Sequence, residues 1–166
     1  MSAIDGDVTS TVRPTLSWID RMVDGALYAG ERRLRFEVLR RPLGMVQGSE
    51  ENAREADCRH LVAWVARGGD AGEAEVVGCS LWLGDADGVG GKLMQMAVDS
   101  HWQGTGLGAR LVRELERQVR ADGFREVRMH ARETAIGFYR KLGYEVTGEP
   151  FVEVGLPHRL MRRSLL

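Results

Sequence analysis

Cysteine is nearly missing from this chain of 166 residues: it has two, Cys58 and Cys79, at no metal or redox spacing. That scarcity excludes a disulfide-dense scaffold and a cysteine-built metal centre. Two free thiols in a reducing compartment are the expected state. An excess of either charge is missing as well. Lysine and arginine total 23 against 24 acidic residues, so the formal net charge is −1. No global field then draws the protein to nucleic acid or to an acidic membrane. No apolar run approaches the length of a membrane span. Residues 1–13 carry Asp5 and Asp7 and have no apolar stretch of the kind a secretion signal needs. A cytoplasmic location is therefore expected. There are no internal repeats, and the four histidines show no metal-ligand spacing. What is present, 43% apolar and 28% charged residues, suits one domain with a core that needs no staples.

Residues 1–13 are polar and unpatterned and read as a loose tail, leaving a single domain over 14–166. Thr15 to Ile19 fits a short first strand. From Val23 to Arg40, Val23, Leu27, Leu34 and Val38 recur at helical spacing, with Arg32, Arg33, Arg35 and Arg40 around them as a solvated face, the functional alternative being that some of them approach cofactor phosphate or an anionic substrate. Gly25 and Gly30 weaken this helix enough to split it. Pro42 breaks it, and residues 42–58 read as a long loop with one short helical turn. His60 to Ala66 and Glu75 to Leu83 read as strands, joined as an antiparallel hairpin across Gly68-Gly69-Asp70. After a turn at Asp85 to Gly91, Leu93 to Val98 reads as a buried strand. A helix follows with Leu107, Leu111, Val112, Leu115 and Val119 on one face, ended at Asp122-Gly123. Glu126 to Ala131 alternates as a half-buried strand. A strand–helix–strand connection of this length joins parallel neighbours by a right-handed crossover. A short helix over Thr134 to Leu142, closed by Gly143, precedes a final strand pair, Tyr144 to Val146 and Pro157 to Arg163. The order describes one mixed α/β sheet.

The stretch that carries chemistry lies where Leu93–Val98 feeds Gly104, Gly106 and Gly108 at the opening of a helix. Backbone N–H groups there lack intrahelical partners, and the helix dipole adds partial positive charge. Such an end binds phosphate. Neither common nucleotide loop fits, because Gly-x-x-x-x-Gly-Lys is absent and the glycine spacing is not that of a dinucleotide fingerprint.

Gln103-x-x-Gly106-x-Gly108, behind a strand ending Met96-Ala97-Val98, resembles the cofactor motif of the GCN5-related N-acetyltransferase (GNAT) superfamily. A second segment, Ala135-Ile-Gly-Phe138-Tyr139-Arg-Lys141-Leu142-Gly143-Tyr144, is similar to another motif of that superfamily. Together they cover about residues 92–146. The resemblance implies a central twisted mixed sheet with helices on its flanks and one βαβ cofactor crossover. It implies acetyl-CoA as co-substrate, without a metal. Its pyrophosphate would lie on Gln103, Gly104, Thr105, Gly106, Leu107, Gly108 and Ala109. Its pantetheine arm would enter between strands that splay near Val98 and Ala131, pairing with the backbone of Met96, Ala97 and Val98. Arg132 stands where many members carry an asparagine that contacts the pantetheine, a departure in the side chain at that place.

Tyr139 has a chemical case of its own. An amine that attacks a thioester expels a thiolate, and a phenol, with a pKa of about 10, is still protonated at neutral pH and can protonate that sulfur. A backbone N–H near Val98 is placed to stabilise the developing oxyanion. Phe138 reads as a core aromatic. The ending Glu153-Val-Gly155-Leu156-Pro157-His158-Arg-Leu-Met161 resembles that of a subset of the same superfamily. Glu153 and His158 flank its turn and are expected to line the acceptor site, with His158 suited to proton exchange. The plainer alternative is a turn fixed by Pro157 with a hydrogen-bonded His158. His130 and His101 are weaker candidates.

The function expected is transfer of an acetyl or short acyl group to the amine of a small molecule or peptide. An acyl-CoA-sensing module of the same fold is the runner-up. Nucleic-acid binding through Arg32, Arg33 and Arg35 lacks both global charge and interleaved aromatics. The sequence names neither the acceptor nor the oligomeric state, and a homodimer stays open.

Overall fold

The computed structural model describes residues 12–68 and 72–166; the expected tail falls almost entirely outside them. Seven strands form one sheet: β1 (Thr15–Ile19), β2 (Arg59–Arg67), β3 (Glu73–Gly84), β4 (Gly90–Val98), β5 (Glu126–Arg132), β6 (Glu145–Glu153) and β7 (Leu156–Ser164). Their spatial order is β1-β2-β3-β4-β5-β7-β6. Every neighbouring pair is antiparallel except β4–β5. The parallel pair is the one expected from the crossover length. The last strand slips between β5 and β6 rather than closing a simple terminal meander.

Three helices flank the sheet: α1 (Gly25–Arg35), α2 (Leu107–Ala121) and α3 (Ile136–Lys141). The stripe read along α2 is buried as expected: Leu107, Leu111, Val112, Leu115 and Val119 pack with Leu61, Ala63, Val77 and Trp82. Val62 and Val76, which alternate with those strand residues, turn to the opposite face and meet Leu34 of α1. Period-two alternation thus divides the interior into two cores, one under each long helix.

The first helix departs from its sequence reading in two ways. It begins at Gly25, so Val23 lies outside it, 79% exposed. Its arginines are not one solvated face either. Arg33 is exposed, but Arg35 is completely buried among carboxylates supplied by α1 and the following loop. A π-helical turn, Phe36–Arg40, then carries the chain on to the 3-10 turn Arg41–Leu43. With a second such turn at Glu55–Asp57, the expected loop holds two helical turns rather than one. Both cysteines are free, and burial raises the Cys58 thiol to about 11.

Strand β6 runs well past Val146 despite Gly148 and Pro150, because it is an edge strand with an irregularity between Thr147 and Phe151. An edge tolerates a residue that cannot donate to a ladder.

Candidate active site

Strands β4 and β5 stay paired for only three residues, Gly90–Lys92 against Glu126–Arg128. Beyond Lys92 they part, so the β5-facing edge of β4 has no strand partner. Within the same stretch, Gln95 and Met96 together stand opposite Ser80 of β3, and Gln95 adopts φ 47°. A bulge of this kind re-aims the strand and its side chains. Met94, Gln95 and Met96 all reach the wall of a cleft between the parted strands, with a volume of about 230 Å³. The splay implied by the resemblance is thus present.

At the end of β4, the Gln103 side chain donates to the Val98 carbonyl at 3.0 Å, and Thr105 Oγ1 donates to the Trp102 carbonyl at 2.5 Å. These bonds close the loop back on the strand. Gly106 caps α2 in the left-handed region, φ 86°. The first intrahelical bond runs from Arg110 N–H to the Gly106 carbonyl at 3.1 Å, so the N–H groups of Leu107, Gly108 and Ala109 have no intrahelical acceptor. A Cβ on Gly108 would come within 3.1 Å of Met96 Cε and 3.2 Å of Phe138 Cζ. Small size there lets the helix end, β4 and α3 meet. The open N–H groups and exposed glycines suit an anion such as a pyrophosphate.

Tyr139 is buried at the cleft, and its hydroxyl donates to Met96 Sδ at 3.5 Å. Burial raises the phenol well above its ordinary value. It therefore keeps its proton throughout the neutral range. Phe138, expected in the core, is 37% exposed and sits edge-on to Tyr139 against Gly108. The helix turns the second aromatic inward, not the first.

The opposite wall comes from the β6–β7 turn. Val154 and Gly155 both have positive φ, 48° and 75°, which is unusual for a β-branched residue. They deliver Glu153 and His158 to the same cleft. His158 is buried and donates from Nδ1 to the Leu156 carbonyl at 2.8 Å. Its Nε2 is therefore the nitrogen that carries the lone pair when the ring is neutral, 3.7 Å from Glu153 Oε2. The other Glu153 oxygen lies 3.0 Å from His130 Nδ1, which is itself 3.2 Å from Lys92 Nζ. Burial alone would raise the Glu153 carboxyl. Hydrogen bonding and charge from His130, with Lys92 and His158, outweigh that and hold it low. Burial also keeps the Lys92 ammonium below its ordinary range.

Lys92 lines this cleft without having been singled out in the sequence, Arg40 lines it rather than lying on a solvated face, and His130 has a larger place there than its weak standing suggested. His130 alternates with buried Met129 and Ala131 on β5, the one signal that pointed to it. Nothing in the local pattern marks Lys92. His101 lies apart, exposed and bonded to Asp99 at 3.1 Å. Arg132 donates to the Leu39 carbonyl at 2.9 Å. No group of histidines, cysteines and carboxylates among the described residues could hold a metal ion. No helix among them is long and apolar enough to cross a membrane.

Comparison with known proteins fits this geometry. A model of the acetyltransferase (GNAT) domain matches residues 69–165, more than half of the chain. The chain belongs to the GNAT family. A Bacillus subtilis relative, itself named as a candidate acetyltransferase, is 32% identical over 117 residues, covering 69% of this chain and 72% of that protein. Among solved GNAT structures, a candidate N-acetyltransferase from Lactobacillus plantarum superposes with a TM-score of 0.78 at 23% identity, covering 93% of this chain and 99% of that one. An aminoglycoside 6'-N-acetyltransferase complexed with coenzyme A gives a TM-score of 0.70 at 19% identity, covering 92% and 97%. At such identities these structures establish a shared GNAT fold.

Proposed function

We propose that residues 14–166 form a domain that transfers an acetyl or other short acyl group from its coenzyme A thioester to an amine. The observation that carries this reading is the parting of β4 from β5 after Lys92 and Arg128, with Tyr139 at one wall and Glu153 and His158 at the other. Acetyl-CoA supplies the activated acyl carbon. The N–H groups of Leu107, Gly108 and Ala109, with the backbone of Gln103 to Gly106, hold its pyrophosphate. The free edge of β4 at Met96, Ala97 and Val98 accepts the pantetheine amides as a strand would. A backbone N–H near Val98 donates to the developing oxyanion.

An alkylamine is almost wholly protonated near neutral pH, with a pKa of about 10. Glu153 or His158 Nε2 takes that proton, directly or through water. The freed nitrogen forms the new C–N bond as the C–S bond breaks. Tyr139 gives its phenolic proton to the departing sulfur and regains one, directly or through water, from the second N–H proton that the new amide nitrogen sheds; its hydroxyl already points to a sulfur, that of Met96. The acceptor is a small-molecule or peptide amine of a size that suits the cleft, and the working compartment is the cytoplasm. The test is release of free thiol from acetyl-CoA against a panel of amines. Release that rises with one class of amine supports the reading. Tight acetyl-CoA binding with no release for any amine replaces it with a sensing role.

A further inference from the structure

Two guanidinium groups converge on a single carbonyl oxygen at the rim of the cleft. Arg132 Nη2 donates to the Leu39 carbonyl at 2.9 Å, and Arg40 Nη1 donates to the same oxygen at 3.4 Å. The remaining Arg40 contact is also a carbonyl, from Nε to Ser49 O at 3.2 Å. Both side chains are half-buried and both line the cleft. Leu39, whose carbonyl takes both donors, lies in the π-helical turn that ends at Arg40.

Their neighbours on the same segment are neutralised differently. Arg32 pairs with the Glu50 carboxylate at 2.9 Å, and Arg35 pairs with Glu55 at 2.7 Å. Among the described residues no carboxylate pairs with Arg40 or Arg132. Burial, and then the Arg132 and Arg35 charges, hold the Arg40 guanidinium below its ordinary value, against a smaller opposing pull from the Glu153 and Glu50 carboxylates. Like charges kept together out of bulk water are costly unless an anion lies between them. Lys92 adds a further cation to the cleft. The one carboxylate lining it, Glu153, is already engaged by His130. Such a lining repels a polyamine or another polycation, and its positive end has no carboxylate within ion-pair distance among the described residues.

We infer that the acceptor is an amino acid or a related small amine that carries a carboxylate near its reacting nitrogen. Arg40 and Arg132 hold the carboxylate, with the ammonium toward Glu153. This rests on the acyl-transfer reading above and names the substrate class for it. The two guanidiniums offer planar donor pairs of the kind that match a carboxylate.

The decisive measurement is calorimetry on the full chain saturated with coenzyme A. The probes are the N-acetyl derivatives of glycine, methionine, phenylalanine and glutamate, each as free acid, as α-amide and as the matching phosphonate. At least one acid, and its phosphonate, are expected to bind about tenfold or more tightly than the amide, the effect of one charge-assisted pair. In a folded Arg40→Gln variant that ratio falls to about twofold or less, while coenzyme A affinity is unchanged and Arg40→Lys restores part of the preference. An amide that binds as well as the acid overturns the inference. So does a preference that survives Arg40→Gln, or a failure of every acid to bind. Thiol release judges the underlying transfer reading separately, because binding of the acids requires no turnover.

Discussion

The Arg35 guanidinium and the Glu55 carboxylate meet inside the protein through two parallel bonds, Nη1 to Oε1 at 2.7 Å and Nη2 to Oε2 at 3.0 Å. Glu31 lies 3.6 Å from the same guanidinium, and His60 Nδ1 lies 2.9 Å from Glu31. Arg35 also donates to the Glu50 carbonyl at 2.6 Å. The cluster fastens the segment between the two 3-10 turns to α1, and that segment brings Asn52 to the cleft.

Removing one member of this pair takes from a buried charge its shortest ion-pair partner. Arg35→Ala or Glu55→Gln is expected to destabilise the protein by about 3–5 kcal/mol, read by urea denaturation. The apolar double variant Arg35→Met with Glu55→Leu is expected to recover most of that loss. Equal destabilisation in the single and double variants would mean that packing, not charge, holds the segment.

The same cluster sets the pH range of stability. Burial raises Glu55, but Arg35 outweighs it and the folded value lies below 4.5. Its contribution is present above that pH and is lost as pH falls through the folded value. Burial lowers His60, but Glu31 outweighs it and the folded value lies above 6.5. That contribution is complete below 6.5 and fades as pH rises through the folded value. Thermal melts from pH 3 to 9 are therefore expected to fall on both sides, and His60→Gln should flatten only the alkaline side.

At the helix opening, Gly106→Glu puts a side chain in the left-handed region and a negative charge where the pyrophosphate is proposed to bind. Coenzyme A affinity is expected to drop by about a hundredfold or more, the combined effect of lost N–H contacts and like-charge repulsion. Unchanged affinity by calorimetry in a folded variant would remove the loop from the cofactor site.

For Tyr139→Phe, turnover is expected to fall by roughly 10²–10⁴ with little change in the KM for acetyl-CoA. Burial keeps this phenol protonated, so the loss should be the same at pH 6 and pH 9. Wild-type turnover in the variant would leave Tyr139 as packing beneath Phe138.

Glu153→Gln and His158→Ala are expected to impair the amine step and leave acetyl-CoA binding intact. General acid–base removal usually costs about 10²–10⁴ in rate, and sharing between the two residues would make each single loss smaller than the double one. Wild-type kcat/KM for the accepted amine in all three variants from pH 6 to 9 would assign the proton to other groups.

How much of this was readable in the chain depends on the range of the forces involved. The α2 stripe from Leu107 to Val119 and the turn at Gly104–Gly108 are local patterns, and they predict a buried helix and its open N-terminus directly. The inward turn of Tyr139 and outward turn of Phe138 depend on where α3 docks, which two adjacent aromatics do not specify. Arg35 looked like its neighbours Arg32 and Arg33 because its carboxylate partner Glu55 lies twenty residues away. Likewise, Lys92, His130 and Glu153 come from three strands, and only the insertion of β7 between β5 and β6 assembles them. Sequence spacing carries helix faces and turns well. It carries long-range charge pairing poorly.

The hairpin at Val154 ties two kinds of selection to one residue. A valine at φ 48° bears a left-handed penalty of about 1–2 kcal/mol that a glycine would not. Val154 also forms part of the cleft wall with Glu153. Drift toward a sturdier protein would favour glycine or asparagine at this place, and retention of a shaped acceptor wall would oppose it. Position 154 is therefore where changes in acceptor preference and changes in thermal tolerance are expected to arrive together.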